Sequence, residues 1–165
     1  MLHVHEYERY WMIGVAAVLG VFMAALIAGA VVFGVRVPDK GEIINPNELQ
    51  NTMFANPGVF DMGNGEYNVV MLAQKWSFNP AEIRIPVGAE VTFHVTSRDI
   101  THGFIIERHN VNFELVPGHV AQARMTFNEP GEFRYICHEY CGQFHHAMHG
   151  VLIVEDTDSL AQTAD

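Results

Sequence analysis

This 165-residue chain contains a long uncharged apolar run near its N-terminus, which limits the folds that it can adopt. Residues 11–35 read WMIGVAAVLGVFMAALIAGAVVFGV and contain no charge and no polar stripe. About 20 apolar residues in a helix suffice to cross the hydrocarbon core of a bilayer. A core helix of a soluble protein would instead present one polar face. We therefore predict that residues 1–37 form an N-terminal tail and a single transmembrane helix.

A cleaved signal peptide is the main alternative for this run, because Ala28-Gly29-Ala30 is a small-residue tripeptide typical of cleavage sites. The run is longer than the roughly 7 to 15 apolar residues of a usual signal peptide, and the leader MLHVHEYERY is not basic. These two properties favour a retained anchor. The flanking charges do not decide its orientation, since Arg9 precedes the span while Arg36 and Lys40 follow it.

The rest of the chain has the pattern of a linker followed by strands. Residues 38–66 are rich in Asn, Pro and Gly and are predicted to be a linker with one short helix over residues 47–54, capped by Asn47. Residues 67–155 contain short alternating runs bounded by Pro and Gly. In residues 90–96, Val91, Phe93 and Val95 would face a core and the alternate side chains would face water. We predict an all-β, antiparallel sandwich with strands near residues 67–72, 82–86, 90–96, 103–106, 122–127, 132–136 and 151–154.

Charge and motif content exclude several classes of function. Nine Lys and Arg against nineteen Asp and Glu give a formal charge of -10, which is not the balance of a protein that neutralises phosphates, so we predict no nucleic-acid partner. The chain has no glycine-rich phosphate loop, nucleophile elbow or paired catalytic carboxylates. Residues 156–165 are predicted to be an acidic mobile tail.

The chemistry-bearing residues cluster between the last two predicted strands. Residues 137–150, CHEYCGQFHHAMHG, contain both cysteines of the chain together with histidines and a methionine. His102, at the end of a separate strand, is the natural further ligand. The resulting set is His102, Cys137, Cys141, His145 and Met148. Thiolate and thioether ligands are soft, so this set favours copper over zinc.

Three other interpretations of the cluster remain open at this point. Cys137 and Cys141 could form a disulfide in an oxidising compartment, although that would leave the His and Met unexplained. A structural zinc site would have no use for Met148. A mononuclear blue copper site needs one Cys, and this loop has two. Other histidines are predicted to be surface or packing residues, namely His94, His109, His119, His138, His146 and His149.

The pattern Cys-x-Glu-x-Cys-x3-His-x2-Met, with an upstream His before Gly-Phe, resembles the dinuclear CuA site of subunit II of haem-copper cytochrome c oxidases. The single preceding span resembles the B-type branch of that family. The resemblance implies a Greek-key cupredoxin sandwich for residues 67–155. It further implies that Cys137 and Cys141 bridge two coppers and that His102 and His145 each bind one. Met148 and the backbone carbonyl of Glu139 would then be weak ligands.

The same resemblance implies a function. The chain would accept electrons near Trp76 from cytochrome c or another small copper or haem donor, and pass them to the haem of subunit I. Subunit I, with its haem and CuB, would reduce O2 and translocate protons, and this chain would have no O2-reducing site of its own. The carboxylate of Glu139 would help to hold Mg2+ at the boundary with subunit I. The copper domain would lie on the periplasmic or extracellular side of the plasma membrane. Two alternatives are a CuA subunit of a nitric oxide reductase and a membrane-tethered copper-binding cupredoxin without an oxidase.

Overall fold

The computed structural model describes residues 5–33 and 41–156. By its internal contacts the chain divides into two compact units, Met1–Val37 and Pro38–Asp165. The predicted acidic tail lies outside the described residues from position 157 onward, as do Arg36 and Lys40.

The first unit is built on one helix, α1, which spans Glu6–Val32 over 27 residues. It begins five residues before the uncharged run because the N-terminal sequence caps it. The His5 N–H donates to the Glu8 carboxylate at 3.2 Å, and Glu6 and Glu8 lie in the first turn, where the helix dipole favours negative charge. No side chain of α1 is buried. By length and composition, α1 can cross a membrane.

The second unit is a β-sandwich, which confirms the predicted all-β fold after a single N-terminal helix. Within residues 41–156 the structure has ten strands: β1 Gly58–Gly63, β2 Glu66–Gln74, β3 Ser77–Asn79, β4 Glu82–Pro86, β5 Glu90–Ser97, β6 His102–Ile106, β7 Asn112–Leu115, β8 Ala121–Thr126, β9 Gly131–Ile136 and β10 His149–Glu155. The seven predicted strands each overlap an observed one. The sequence pattern missed β1, β3 and β7.

The strands form two five-stranded sheets. One has the order β1-β2-β5-β8 with β3 paired to β2, and the other has the order β4-β10-β9-β6-β7. The prediction of a purely antiparallel sandwich is wrong for two pairs, because β2 runs parallel to β5 and β4 runs parallel to β10. The chain leaves one sheet, adds strands to the other and returns, so the returning strand can run in the same direction as its neighbour.

The core between the sheets is aromatic. Phe104 lies at its centre, with ring contacts to Phe78, Phe93, Phe113 and Tyr135 at centroid distances of 5.2 to 6.1 Å. Such edge-to-face and offset pairs add specificity to the apolar burial. This packing makes the sandwich a rigid support for the loops at its ends.

The segment predicted to be a linker is ordered against the sandwich from residue 41. It contains two 3-10 helices, Leu49–Asn51 and Met53–Ala55, instead of one helix capped by Asn47. The second is capped by Thr52, whose side-chain oxygen accepts the Phe54 N–H at 3.2 Å. The segment packs into a second apolar cluster on the outer side of β2, formed by Ile44, Leu49, Phe54, Val70, Leu72 and Val120. Strand β1 then begins at Gly58, nine residues before the predicted domain boundary at Tyr67.

The outer face of β5 is also partly covered. Val91, Phe93 and Val95 are fully buried, as the alternation predicts. The opposite face is not wet along its length, since Thr92 and Thr96 are also buried. Thr96 donates its hydroxyl proton to the His119 carbonyl at 2.8 Å. Polar side chains can be covered in this way because backbone groups satisfy their hydrogen bonds.

Candidate metal centre

The cysteine-containing loop lies at one end of the sandwich, between β9 and β10. Cys137 directly follows β9, and Met148 directly precedes β10. The Cys137 N–H donates to the Met148 carbonyl at 3.1 Å, which closes the base of the loop. A short 3-10 helix, His145–Ala147, carries one imidazole back toward the thiols. His102 is the first residue of β6, a strand that pairs with β9.

The loop requires glycine at position 142. Gly142 has φ of +114°, a backbone conformation that L side chains rarely adopt. A Cβ there would also lie 3.1 Å from the indole nitrogen of Trp76. Trp76 can therefore approach the cysteine-containing loop closely only because position 142 has no side chain.

The structure brings all six residues that the sequence singles out to one place. The two Sγ atoms of Cys137 and Cys141 are 3.7 Å apart, and both cysteines are free. The ligand atoms of His102, Cys137 and Cys141 lie within 4.8 Å of one another. The remaining distances to the sulfurs are 3.9 Å from Cys137 Sγ to His102 Nδ1, 3.2 Å from Cys137 Sγ to the Glu139 carbonyl, 3.6 Å from Cys141 Sγ to His145 Nδ1 and 3.6 Å from Cys141 Sγ to Met148 Sδ.

The centre is shielded from water. His102 is 0% exposed, Cys141 and Met148 are 1% exposed, and Cys137 is 3% exposed. The pKa of the Cys141 thiol is raised to about 11. Burial is the larger cause, and the hydrogen bond with the Cys137 thiol is the second. A metal that binds this sulfur as thiolate must therefore displace a proton.

Asp99 was not singled out by the sequence patterns, yet it contacts the centre. Its Oδ1 lies 2.9 Å from His102 Nε2, and its Oδ2 accepts the Lys75 N–H at 2.8 Å. Burial raises the pKa of Asp99, but the hydrogen bonds from His102 and from the backbone N–H groups of Lys75 and Ile100 outweigh it and leave the pKa below its ordinary value. The one sequence feature that could have indicated Asp99 is its position three residues before the candidate ligand His102.

Trp76 packs directly on the cysteine-containing loop. Its Nε1 donates to the Cys141 carbonyl at 3.0 Å, and its ring meets Phe144 edge-on at 4.9 Å. Phe144 is 48% exposed and Tyr140, in the same loop, is 80% exposed, so the outer surface of the loop is aromatic.

Among the other histidines, His119, His138, His146 and His149 are exposed and His94 and His109 are partly buried. His138 belongs to the loop, but its ring packs over Gly103, where a Cβ would lie 2.6 Å from it. Among residues 5–33 and 41–156, the cluster of candidate ligands consists of His102, Cys137 and Cys141. His145 lies beside that cluster, with Nδ1 3.6 Å from Cys141 Sγ.

The donor set fits copper. Two thiol sulfurs, two imidazole nitrogens and a thioether sulfur are the soft and borderline ligands that copper prefers, and a buried thioether has no role in a structural zinc site. Cys137 and Cys141 lie close enough for both sulfurs to contact the same ion or a pair of ions. This set lies at one end of a cupredoxin-like β-sandwich, which makes it a candidate copper site.

The comparisons with known proteins are specific. A family model described as the periplasmic domain of cytochrome c oxidase subunit II matches residues 66–156. Cytochrome c oxidase subunit 2 of Thermus thermophilus is 38% identical over 155 residues, covering 91% of this chain and 92% of its own. A chain in the cryo-EM structure of a heme-copper terminal oxidase dimer superposes with a TM-score of 0.77 and 31% identity, covering 91% of this chain and 100% of its own.

A more distant match concerns the fold alone. The crystal structure of the periplasmic domain of cytochrome oxidase subunit II from Bradyrhizobium japonicum has a TM-score of 0.52 and 18% identity, covering 58% of this chain and 88% of its own.

The family model and the Thermus thermophilus relative show that the chain belongs to the cytochrome c oxidase subunit II family, as the sequence resemblance indicated. It is therefore a subunit of an oxidoreductase complex.

Proposed function

We propose that this chain is the electron-accepting subunit of a haem-copper terminal oxidase and holds a dinuclear CuA centre. The ligands would be the thiolates of Cys137 and Cys141, the Nδ1 atoms of His102 and His145, the Met148 thioether and the Glu139 carbonyl. The observation that carries the proposal is the pair of buried thiols 3.7 Å apart, each with an imidazole nitrogen within 4 Å. When bound, the two coppers would supply a one-electron redox centre.

The chain's own residues favour electron transfer over bond chemistry. All six donors come from this chain, and the candidate ligand side chains other than His145 are at most 3% exposed, apart from Glu139, which would contribute its backbone carbonyl. A ligand set that leaves no position for substrate suits electron transfer, whereas a catalytic metal keeps one position open. The aromatic core behind the site limits how far the ligands can relax, and small relaxation favours fast electron transfer.

Electrons would enter at Trp76. Its indole N–H is bonded to the carbonyl of Cys141, so a short covalent and hydrogen-bonded route joins the ring to a ligand sulfur. The exposed rings of Tyr140 and Phe144 would contact the donor, and a net charge of -10 would attract a basic cytochrome c.

Family membership supports a partner and a location for this chain. The likeness over the full length of a chain in a heme-copper oxidase dimer supports docking on subunit I, which would receive the electron at its haem. Helix α1 would anchor the chain in the plasma membrane, with the copper domain on the periplasmic or extracellular side, as the family description suggests. The Glu139 carboxylate, 51% exposed, would help to hold Mg2+ at the boundary with subunit I.

The test is copper stoichiometry in the full chain, purified in detergent from its own membranes. We expect two coppers per chain, a purple oxidised protein, a mixed-valence EPR signal and a co-purifying haem subunit. Cys141→Ser should abolish the signal, because a hydroxyl is a poor soft ligand. His146→Gln, an exposed change in the same loop, should preserve it. One copper per chain with a blue mononuclear spectrum and no haem partner would overturn the proposal in favour of a tethered cupredoxin.

A further inference from the structure

We propose that Asp99 is a positioning residue of the metal centre. Its carboxylate holds the His102 ring with Nδ1 toward the thiols, and it joins that ring to the turn that carries Trp76. The inference rests on the proposed copper site, and it adds to that site a residue that is not a ligand.

The first step is the orientation of the His102 ring. Asp99 Oδ1 lies 2.9 Å from Nε2, and Nδ1 faces Cys137 Sγ at 3.9 Å. A neutral imidazole has one N–H donor and one acceptor nitrogen, and a carboxylate only accepts. The proton is therefore on Nε2. The lone pair of Nδ1 is left to point at the sulfurs, where a metal would bind.

The second step is that the carboxylate is itself fixed. Its Oδ1 also accepts the Ile100 N–H at 2.7 Å, and the Asp99 N–H donates to Ser97 Oγ at 3.3 Å. The Ser97 hydroxyl in turn donates to the Ile100 carbonyl. This local network holds the loop between β5 and β6 in one conformation. The carboxylate thus acts on His102 from a rigid support.

The third step is the connection to Trp76. Asp99 Oδ2 accepts the N–H of Lys75, the residue before Trp76, at 2.8 Å. Trp76 in turn donates to the Cys141 carbonyl at 3.0 Å. The turn between β2 and β3 is therefore bonded to both sides of the centre, to His102 through Asp99 and to the cysteine loop through the indole.

The two imidazoles are held differently. His102 is 0% exposed and bonded to a carboxylate. His145 lies on a short 3-10 helix, is partly exposed and packs edge-on against Tyr140 at 5.8 Å. A carboxylate on the far nitrogen makes an imidazole a stronger donor, which stabilises the more positive, oxidised metal. Loss of the Asp99 carboxylate should therefore raise the reduction potential.

The matched pair of variants is Asp99→Asn and Asp61→Asn, made in the full chain. Asn keeps the size of Asp but has one acceptor oxygen, so it cannot serve both His102 and Lys75. Asp61 is a suitable control because it also accepts a backbone N–H, from Gly63 at 2.8 Å, and a side-chain donor, Tyr67, at 3.2 Å. It lies on β1 opposite Tyr67, near the start of β2, whereas Lys75 follows the end of β2.

The measurements are copper affinity, reduction potential and the mixed-valence EPR signal. For Asp99→Asn we expect affinity lower by about 10- to 100-fold, a higher potential and altered copper hyperfine splitting. Asp61→Asn should match the parent in all three. An Asp99→Asn protein with the parent's potential and splitting overturns the proposal, even if its unfolding midpoint falls, because a merely structural carboxylate would change stability alone.

A second measurement needs no variant. Nitrogen-15 NMR of His102 in the copper-free parent chain should show the proton on Nε2, and a proton on Nδ1 would overturn the proposal even if Asp99→Asn fails to fold. The two proposals fail separately. A parent chain without a dinuclear centre defeats the proposed function, and Asp99 is then judged by the His102 tautomer alone.

Discussion

The indole Nε1 of Trp76 donates a 3.0 Å hydrogen bond to the carbonyl oxygen of Cys141, although the two residues are 65 positions apart in the chain. The turn after β2 is thereby attached to the loop between β9 and β10. Gly142 permits the contact, since a Cβ at that position would lie 3.1 Å from the indole nitrogen.

Trp76→Phe should slow reduction of the centre by a c-type cytochrome while leaving copper content unchanged. Phe keeps an aromatic ring but has no N–H, so the bond to the Cys141 carbonyl is lost, at a cost of about 1 kcal/mol in unfolding free energy. Stopped-flow reduction by cytochrome is the measurement, with a small reductant as reference. Trp11→Phe, in α1, is the control. Equal cytochrome rates for the parent and the Trp76 variant would exclude Trp76 as the point where electrons enter.

Met148→Leu should retain two coppers and shift the reduction potential. Met148 is 1% exposed with Sδ 3.6 Å from Cys141 Sγ, and Leu has similar volume, so we expect a stability cost below about 1.5 kcal/mol. An axial thioether tunes a copper site more than it holds the metal. Copper analysis and spectroelectrochemistry check this, with Met125→Leu on β8 as the control. Loss of one copper would show that Met148 is an essential ligand.

Glu139→Gln should separate the backbone of this residue from its carboxylate. The backbone carbonyl, 3.2 Å from Cys137 Sγ, is unchanged, so copper content should hold. The amide is a weaker ligand for a hard cation, so binding of Mn2+ in place of Mg2+ should weaken in the intact complex. Mn2+ EPR is the readout, and Glu129→Gln, an exposed change, should have no effect. If the parent complex binds no Mn2+ near the copper centre, Glu139 has no magnesium role.

His94→Gln should flatten the dependence of stability on pH. Burial lowers the pKa of His94, so below its ordinary value of about 6.5 the unfolded chain binds a proton more readily than the folded one. The unfolding free energy therefore falls as the pH drops from about 6.5 through the lower folded pKa. Urea unfolding between about pH 7.5 and about pH 5 measures the slope. An unchanged slope in the His94 variant would contradict this assignment.

Phe54→Ala should destabilise the β unit by about 3 to 5 kcal/mol. Phe54 is 2% exposed in the apolar cluster that covers β2, in a segment whose composition is typical of a linker. Denaturant unfolding of the full chain is the measurement. Phe60→Ala is the matched control, because Phe60 lies on β1 and is 43% exposed. This substitution should lower the unfolding free energy far less. If Phe54→Ala lowers the unfolding free energy as little as Phe60→Ala is expected to, the packing of Phe54 does not stabilise the domain.

Local patterns were sufficient for several parts of this protein. The long uncharged run predicts α1 because helix length and hydropathy are properties of consecutive residues. The alternation around Phe93 and the turn residues predict strands for the same reason. The spacing from Cys137 to Met148 predicts a soft metal site, since ligands that share one loop are recorded directly in the sequence.

Other features depend on contacts between residues that are distant in the chain. Strand direction in the pairs β2/β5 and β4/β10 follows from the path between sheets, which alternation does not encode. The segment before Tyr67 is ordered because Val70 and Leu72 offer it an apolar surface. Asp99 and Trp76 reach the centre through hydrogen bonds to His102 and Cys141, and a single polar or aromatic residue leaves no periodic signal. Consecutive residues are enough to predict the helix, the strands and the candidate ligands. Packing selects the side chains that support them, because those contacts join residues brought together only by the fold.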